Sequence, residues 1–172
     1  MARVDEACGK KGGDGMFQMA WVGVLAFLAD RISKQLTVEW LELDVPKALW
    51  EGVLNLTYTR NTGMAFNILA EHTWLLIVLS SLALVVLMTA LYRTLPRTRA
   101  HGALLWLLLA GGLGNLLDRL LFGYVVDFFS VQFARFPVFN VADICLTLSV
   151  MFLIIALLRN PDGKKANGQP AA

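Results

Sequence analysis

Residues 73–92, TWLLIVLSSLALVVLMTALY, run for twenty positions without a charge. A helix needs about 20 apolar residues to cross the hydrocarbon core of a bilayer. Lipid offers no water to unpaired backbone groups, so such a stretch must satisfy its own N–H and C=O groups as a helix. This one segment commits the chain to a membrane. The composition agrees: 57% of residues are hydrophobic and 16% are charged, whereas a soluble domain is about half apolar and about a quarter charged. A net charge of +2, with no basic patch interleaved with aromatics, gives no grip on nucleic acid.

Three further segments fit the same solvent. Met16–Ala29 is apolar apart from Gln18, but short, so the spacing predicts a helix that continues through Asp30-Arg31-Ile32-Ser33-Lys34 to about Leu36. Residues 102–121 and 138–158 complete a set of four predicted spans, about 16–36, 73–92, 102–121 and 138–158. The first run is followed by no small-residue cleavage site, so it is read as a retained helix, not a removed leader. No repeat of fixed period is visible, and residues 16–158 read as one domain. The glycine-rich, charged residues 1–15 and the polar residues 159–172 are expected to be disordered cytoplasmic tails.

Between the first two spans, residues 38–66 are broken by Glu39, Glu42, Asp44, Pro46 and Glu51. Leu54–Thr59 alternates apolar and polar residues, the period of a half-buried strand. Arg60-Asn61-Thr62-Gly63 follows as a turn. The expectation is a small β-sheet lying on the membrane surface. Residues 122–137 are expected to be a loop whose aromatics (Phe122, Tyr124, Phe128, Phe129, Phe133, Phe136) suit the headgroup level. The fold class is therefore an all-α membrane protein of four transmembrane helices, with a small extracytoplasmic sheet and an aromatic loop.

Cytoplasmic segments are rich in Lys and Arg. Arg3, Lys10 and Lys11, then Arg93, Arg97 and Arg99, then Arg159, Lys164 and Lys165 fall in the two tails and the short loop between the second and third spans. Both termini are thus expected in the cytoplasm. The polar ends of the helices then meet at the outer side.

What gathers there is chemically specific. Asp30 and Lys34 are four apart and share a helical face, so they can neutralise each other. Asn115, Asp118 and Arg119 are spaced i, i+3, i+4 on the third span and share a face. Arg119 is expected to partner Asp118 or a lipid phosphate. Gly111, Gly112 and Gly114 let another backbone approach. Asp143, about one turn inside the fourth span with Asn140 three residues before it, needs a partner or a wet cavity, because a bare charge in lipid costs about 2.5–3.5 kcal/mol at a helix centre. The loop from Asp127 is long enough to bring that carboxylate back over the helix end. Two facing carboxylates share a proton, so one can act as base on a water while the other donates to a carbonyl oxygen. That is the pairing of an aspartic protease and calls for no metal or cofactor. The bland alternative is a pair of interface carboxylates satisfied by arginines and water. A proton or solute pathway is the competing function, since intramembrane acids mark such routes, although these acids cluster at one side.

Other chemistries lack parts. There is no H-E-x-x-H, no G-x-S-x-G and no phosphate loop. His72 and His101 are not placed to serve a nucleophile on the outer side. Cys8 and Cys145 are spaced for neither a disulfide nor a metal, and Cys145 reads as a packing residue. For Asn115 and Asn140, helix-to-helix hydrogen bonding and substrate binding are compatible readings.

Five blocks occur in one order along the chain: Asp30-x-x-Ser33-Lys34; Arg60-Asn61-Thr62-Gly63-Met64-Ala65-Phe66; Gly111-Gly112-x-Gly114-Asn115-x-x-Asp118-Arg119; Gly123-x-Val125-Val126-Asp127-Phe128; and Phe139-Asn140-x-Ala142-Asp143. Together they resemble the motif blocks of the lipoprotein signal peptidases, the bacterial type II signal peptidases, from about residue 16 to 158. The resemblance implies a four-helix aspartic protease of the bacterial inner membrane, which removes signal peptides from diacylglyceryl-modified prolipoproteins just before the lipidated cysteine; a monomer is expected. It implies Asp127 and Asp143 as the catalytic pair. Asn61, Gly63, Asn115, Arg119 and Asn140 would line the site, while Asp30, Lys34 and Asp118 would hold it together. Its partners would be the lipidated signal peptides and membrane lipids. Met64 is a departure, standing where small residues are common in the family.

Overall fold

The uncharged run and its three companions each form one long helix: α1 (Ala20–Trp40), α2 (Thr73–Thr94), α3 (Arg99–Phe122) and α4 (Val141–Arg159). The computed structural model describes residues 15–63, 72–134 and 136–159. The two expected tails (but for Gly15 and Arg159), Met64 and its neighbours to residue 71, and Arg135 lie outside the described residues. All four helices are long and apolar enough to cross a membrane, the first counted from Gly15. At 1.5 Å per residue a helix of this length matches a hydrocarbon core about 30 Å thick.

The helix ends differ from expectation for local reasons. α1 runs one turn further, to Trp40. α3 starts earlier, at Arg99, because Thr98 caps it: its hydroxyl accepts from the His101 N–H at 3.2 Å. It stops where Gly123 takes a left-handed conformation, φ 81°, which a residue without Cβ adopts without strain. α4 starts later, at Val141, because Asn140 caps it from outside the helix.

Chain direction alternates, so the ends of α1 and α3 meet the starts of α2 and α4 at one level. α3 touches all three other helices. The apolar core (Leu91, Leu95, Leu105, Leu108 and Leu153) sits at the other end. Along its whole length α2 buries only Leu76 and Leu91 and exposes Val78, Leu82, Val85 and Val86. Acyl chains, not water, are the solvent that fits such a surface.

The α3–α4 contact depends on Gly111. A Cβ built there would lie 2.6 Å from the Ala142 carbonyl oxygen and 2.9 Å from Leu146 Cγ, so the helices would have to part. Gly111→Ala is expected to destabilise the fold by about 1–3 kcal/mol, the usual range for overpacking. Thermal unfolding in detergent checks this; an unchanged Tm would contradict it.

The predicted surface sheet exists, with a strand more than expected. β1 (Lys47–Trp50), β2 (Leu54–Asn61) and β3 (Val125–Val131) pair antiparallel in that order. β3 lies within the segment read as an aromatic loop. Its sequence, VVDFFSV, is β-branched and aromatic, but its first four residues are all buried, so it lacks the alternation that marks a half-buried strand. The register pairs Thr59 with Asp127 and Asn61 with Val125. Asn61 and Asp127 are therefore diagonal neighbours on one sheet face. Past β3, Phe129 and Phe139 exchange backbone hydrogen bonds at 2.8 and 3.1 Å, which turns the chain back to the start of α4.

Candidate active site

The start of α4 is a reciprocal cap. Asn140 Oδ1 accepts the Asp143 N–H at 2.9 Å, and Asp143 Oδ2 accepts the Asn140 N–H at 3.2 Å. This satisfies two backbone donors that a helix N-terminus leaves unpaired. It also fixes the Asp143 carboxylate at the mouth of the helix. Asn115 on α3 donates its Nδ2 to Asp143 Oδ1 at 2.7 Å.

Asp127 arrives from β3. Its Oδ1 accepts from Asn140 Nδ2 at 2.6 Å, and its Oδ2 from Asn61 Nδ2 at 2.8 Å. Asn61 is oriented in turn by the Gly63 N–H, which donates to its Oδ1 at 3.0 Å. Thus all four carboxylate oxygens of Asp127 and Asp143 accept N–H groups, and Asn140 touches both acids. Burial, and next the nearby Asp143, push the Asp127 carboxyl up to about 7, against the pull of the Asn61 and Asn140 donors.

The two aspartates line one cavity of about 400 Å³ with Asn61, Asn115 and Arg119. Apart from Thr147, its remaining wall is apolar, including Val125, Val138, Phe139, Ile144 and Leu148. Asn115 and Arg119 also border a second cavity of about 560 Å³ between α2, α3 and α4, walled by leucines of all three helices.

Behind the cavity is a buried ion cluster. Lys34 meets Asp30 at 3.0 Å and Asp118 at 2.9 Å, and Arg31 meets the same acids at 3.1 and 2.7 Å. Asp30, Lys34 and Asp118 are 1%, 3% and 1% exposed, so their charges require this mutual neutralisation. Asp30 Oδ1 also accepts the Ala142 N–H at 2.9 Å, and Asp118 Oδ2 the Val126 N–H at 3.3 Å. The cluster therefore pins α1 and α3 to the residues beside both aspartates.

The structure brings every sequence-predicted site residue to this region, with one correction. Arg119 does not partner Asp118. Adjacent helical residues point about 100° apart, so Arg119 turns away from the ion cluster towards the cavity and donates to the Gly63 carbonyl at 3.1 Å. The cation opposite Asp118, besides Lys34, is Arg31. Its adjacency to Asp30 was the available signal, but i, i+4 spacing favoured Lys34 alone. Cys145 is half-buried and absent from the cavity wall.

The family model for signal peptidase II matches residues 22–159. The chain belongs to the signal peptidase II family. A lipoprotein signal peptidase of Lactococcus lactis subsp. cremoris is 36% identical over 141 residues, covering 82% of this chain and 93% of that protein. One from Actinobacillus succinogenes is 37% identical over 155 residues, covering 87% and 94%. A bacterial membrane enzyme solved by the in meso method at 2.3 Å resolution superposes with a TM-score of 0.77 at 29% identity, over 89% of this chain and 94% of that one. As a signal peptidase II family member with four apolar helices, the protein is a multi-pass membrane peptidase.

Proposed function

We propose that this signal peptidase II family member is an aspartic endopeptidase that removes signal peptides from diacylglyceryl-modified prolipoproteins just before the lipidated cysteine, with Asp127 and Asp143 as the reacting pair. The observation that carries the reading is the pair itself. Two acids from separate elements line one cavity, and each is held by two N–H donors from groups that tie it to the fold.

The chemistry follows from their environments. Asp127, raised to about 7, carries the proton and donates it to the scissile carbonyl oxygen. Two facing carboxylates share one proton, so Asp143 is the ionised partner and takes a proton from a water that attacks the carbonyl carbon. The tetrahedral adduct then collapses. The C–N bond breaks, Asp143 passes its proton to the leaving amine, and the adduct hydroxyl returns a proton to Asp127. Asn61, Asn140 and Gly63 hold Asp127 in place, and Arg119 braces the Gly63 turn beside the cavity.

The orientation that best fits the basic residues puts both termini in the cytoplasm of a bacterial inner membrane and the cavity near the outer leaflet. The signal peptide then enters sideways from the bilayer. The leucine-walled cavity between α2, α3 and α4 suits acyl chains, and water reaches the acids from the outer surface. The reading takes the enzyme as a monomer, since the dyad and its donors call for no group from a second chain. The polar groups gather at one end of the bundle, which disfavours a pathway through the bilayer.

Two measurements test this. Reconstituted with a diacylglyceryl-modified prolipoprotein and its unmodified counterpart, the protein is expected to release from the modified substrate a product beginning at the lipidated cysteine, read by mass spectrometry. No cleavage of modified substrates, or equal cleavage of both, would contradict the reading. The rate is also expected to fall as pH rises through about 7, because Asp127 then loses the proton it must donate. A rate that is flat from pH 6 to 9, an interval of roughly three units around that pKa, would exclude Asp127 as the acid.

A further inference from the structure

A side-chain amide has an acceptor on one arm and donors on the other, so its usefulness depends on which arm faces which way. Asn115 must present its NH₂ to Asp143. Three contacts bear on that choice. Its Oδ1 accepts from Lys34 Nζ at 2.9 Å and from Asn140 Nδ2 at 3.1 Å, and its Nδ2 donates to Asp143 Oδ1 at 2.7 Å. Asn140 Nδ2 is a weak guide, since its two protons are also claimed by Asp127 Oδ1 at 2.6 Å and the Val126 carbonyl at 3.3 Å. Lys34 is a strong one. An ammonium can only donate, and turning the amide over would press an NH₂ against it.

The rest of the lysine's surroundings sharpen the point. Lys34 is buried and has three protons, which meet Asp30 Oδ2, Asp118 Oδ2 and Asn115 Oδ1. With Arg31 added, the cluster holds two acids and two bases, so charge balance is complete without Asn115. The third contact is the only one directed at a neutral group, and that group touches the reacting acid.

We propose that Lys34 is a positioning residue for the dyad: its ammonium locks the Asn115 amide with the oxygen inward, so that the nitrogen is held on Asp143. This rests on the reading of Asp127 and Asp143 as the reacting pair. Lys34 acts through Asn115, and the coupling between the two positions is what separates positioning from general support of the fold.

The test is a cycle of Lys34→Met, Asn115→Ala and the double variant, with kcat and KM measured on a diacylglyceryl-modified prolipoprotein. Lys34→Met is expected to lower kcat roughly 10- to 100-fold, the scale of a small misplacement of a reacting group, with little change in KM. The double variant is expected to be no slower than Asn115→Ala alone. Lys34→Arg, which also only donates, is expected to recover much of the loss, and Lys34→Gln, whose amide can turn either way, is not. If Lys34→Met fails to fold, the cycle is run with Asp118→Asn, which removes one charge of each sign. Losses that multiply, a wild-type kcat in Lys34→Met, or an arginine variant no better than methionine would each overturn the proposal. Cleavage surviving in Asp127→Asn or Asp143→Asn would instead overturn the reading it rests on.

Discussion

Replacing Asp127 or Asp143 with asparagine is expected to lower cleavage by roughly 10³-fold or more, with the chain still folded. Asparagine matches aspartate in shape, so the cavity keeps its form. It cannot take a proton from water as the ionised acid does, nor give up a full proton to the carbonyl as the neutral acid does. Each replacement also turns one NH₂ towards a donor that the carboxylate accepts, Asn140 or Asn61 at position 127 and Asn115 or the Asn140 N–H at position 143. Some stability is lost in that way. Thermal unfolding beside the cleavage assay separates the two effects: a small fall in Tm with loss of turnover is expected. Turnover within tenfold of wild type in either variant would remove that residue from the chemistry.

The largest loss of stability is expected from Asp30→Ala. Asp30 is 1% exposed and meets Lys34 and Arg31. Without it, the buried Lys34 ammonium and the partly exposed Arg31 guanidinium share Asp118 alone. Removing one partner of a buried ion pair typically costs about 3–5 kcal/mol. The Ala142 N–H also loses its acceptor at 2.9 Å, which frees the first turn of α4 where Asp143 sits. A fall in Tm of roughly 10 °C follows from a loss of that size in a chain of this length, and turnover should fall with it. Gly114 adds a check on the same point: a Cβ there would lie 2.7 Å from Asp30 Oδ2, so the pocket that holds this carboxylate exists only beside a glycine. An unchanged Tm in Asp30→Ala would mean that the cluster does not brace the fold.

Much of this architecture was legible from residue patterns because the bilayer imposes simple demands. An uncharged run such as residues 73–92 has one way to satisfy its backbone, and acids in a greasy chain require partners. The i, i+4 pair Asp30 and Lys34 and the one-sided gathering of Asn115, Asp127, Asn140 and Asp143 follow from those demands. Three features did not. β3 was hidden because a strand buried on both faces loses its alternation. The link from Asn61 to Asp127 depends on the β2–β3 register, which no local spacing fixes between residues so far apart in sequence. Arg119 shares a broad helical face with Asp118 without sharing a partner: it lines the cavity as expected, and Arg31, beside Asp30, takes the place opposite Asp118. Spacing puts Asn140 on the face of Asp143, and the structure makes it a helix terminus that grips both acids.

On the proposed mechanism, Asp127 and Asp143 work as one unit on one water. The most direct measurement is the residual cleavage rate of Asp127→Asn, Asp143→Asn and the double variant on the same lipid-modified substrate. Groups that act as a unit give non-additive losses, so each single variant is expected to fall to about the same residual rate as the double. If either single variant keeps substantial turnover, or if the two losses multiply in the double, the aspartates act independently and the dyad is contradicted.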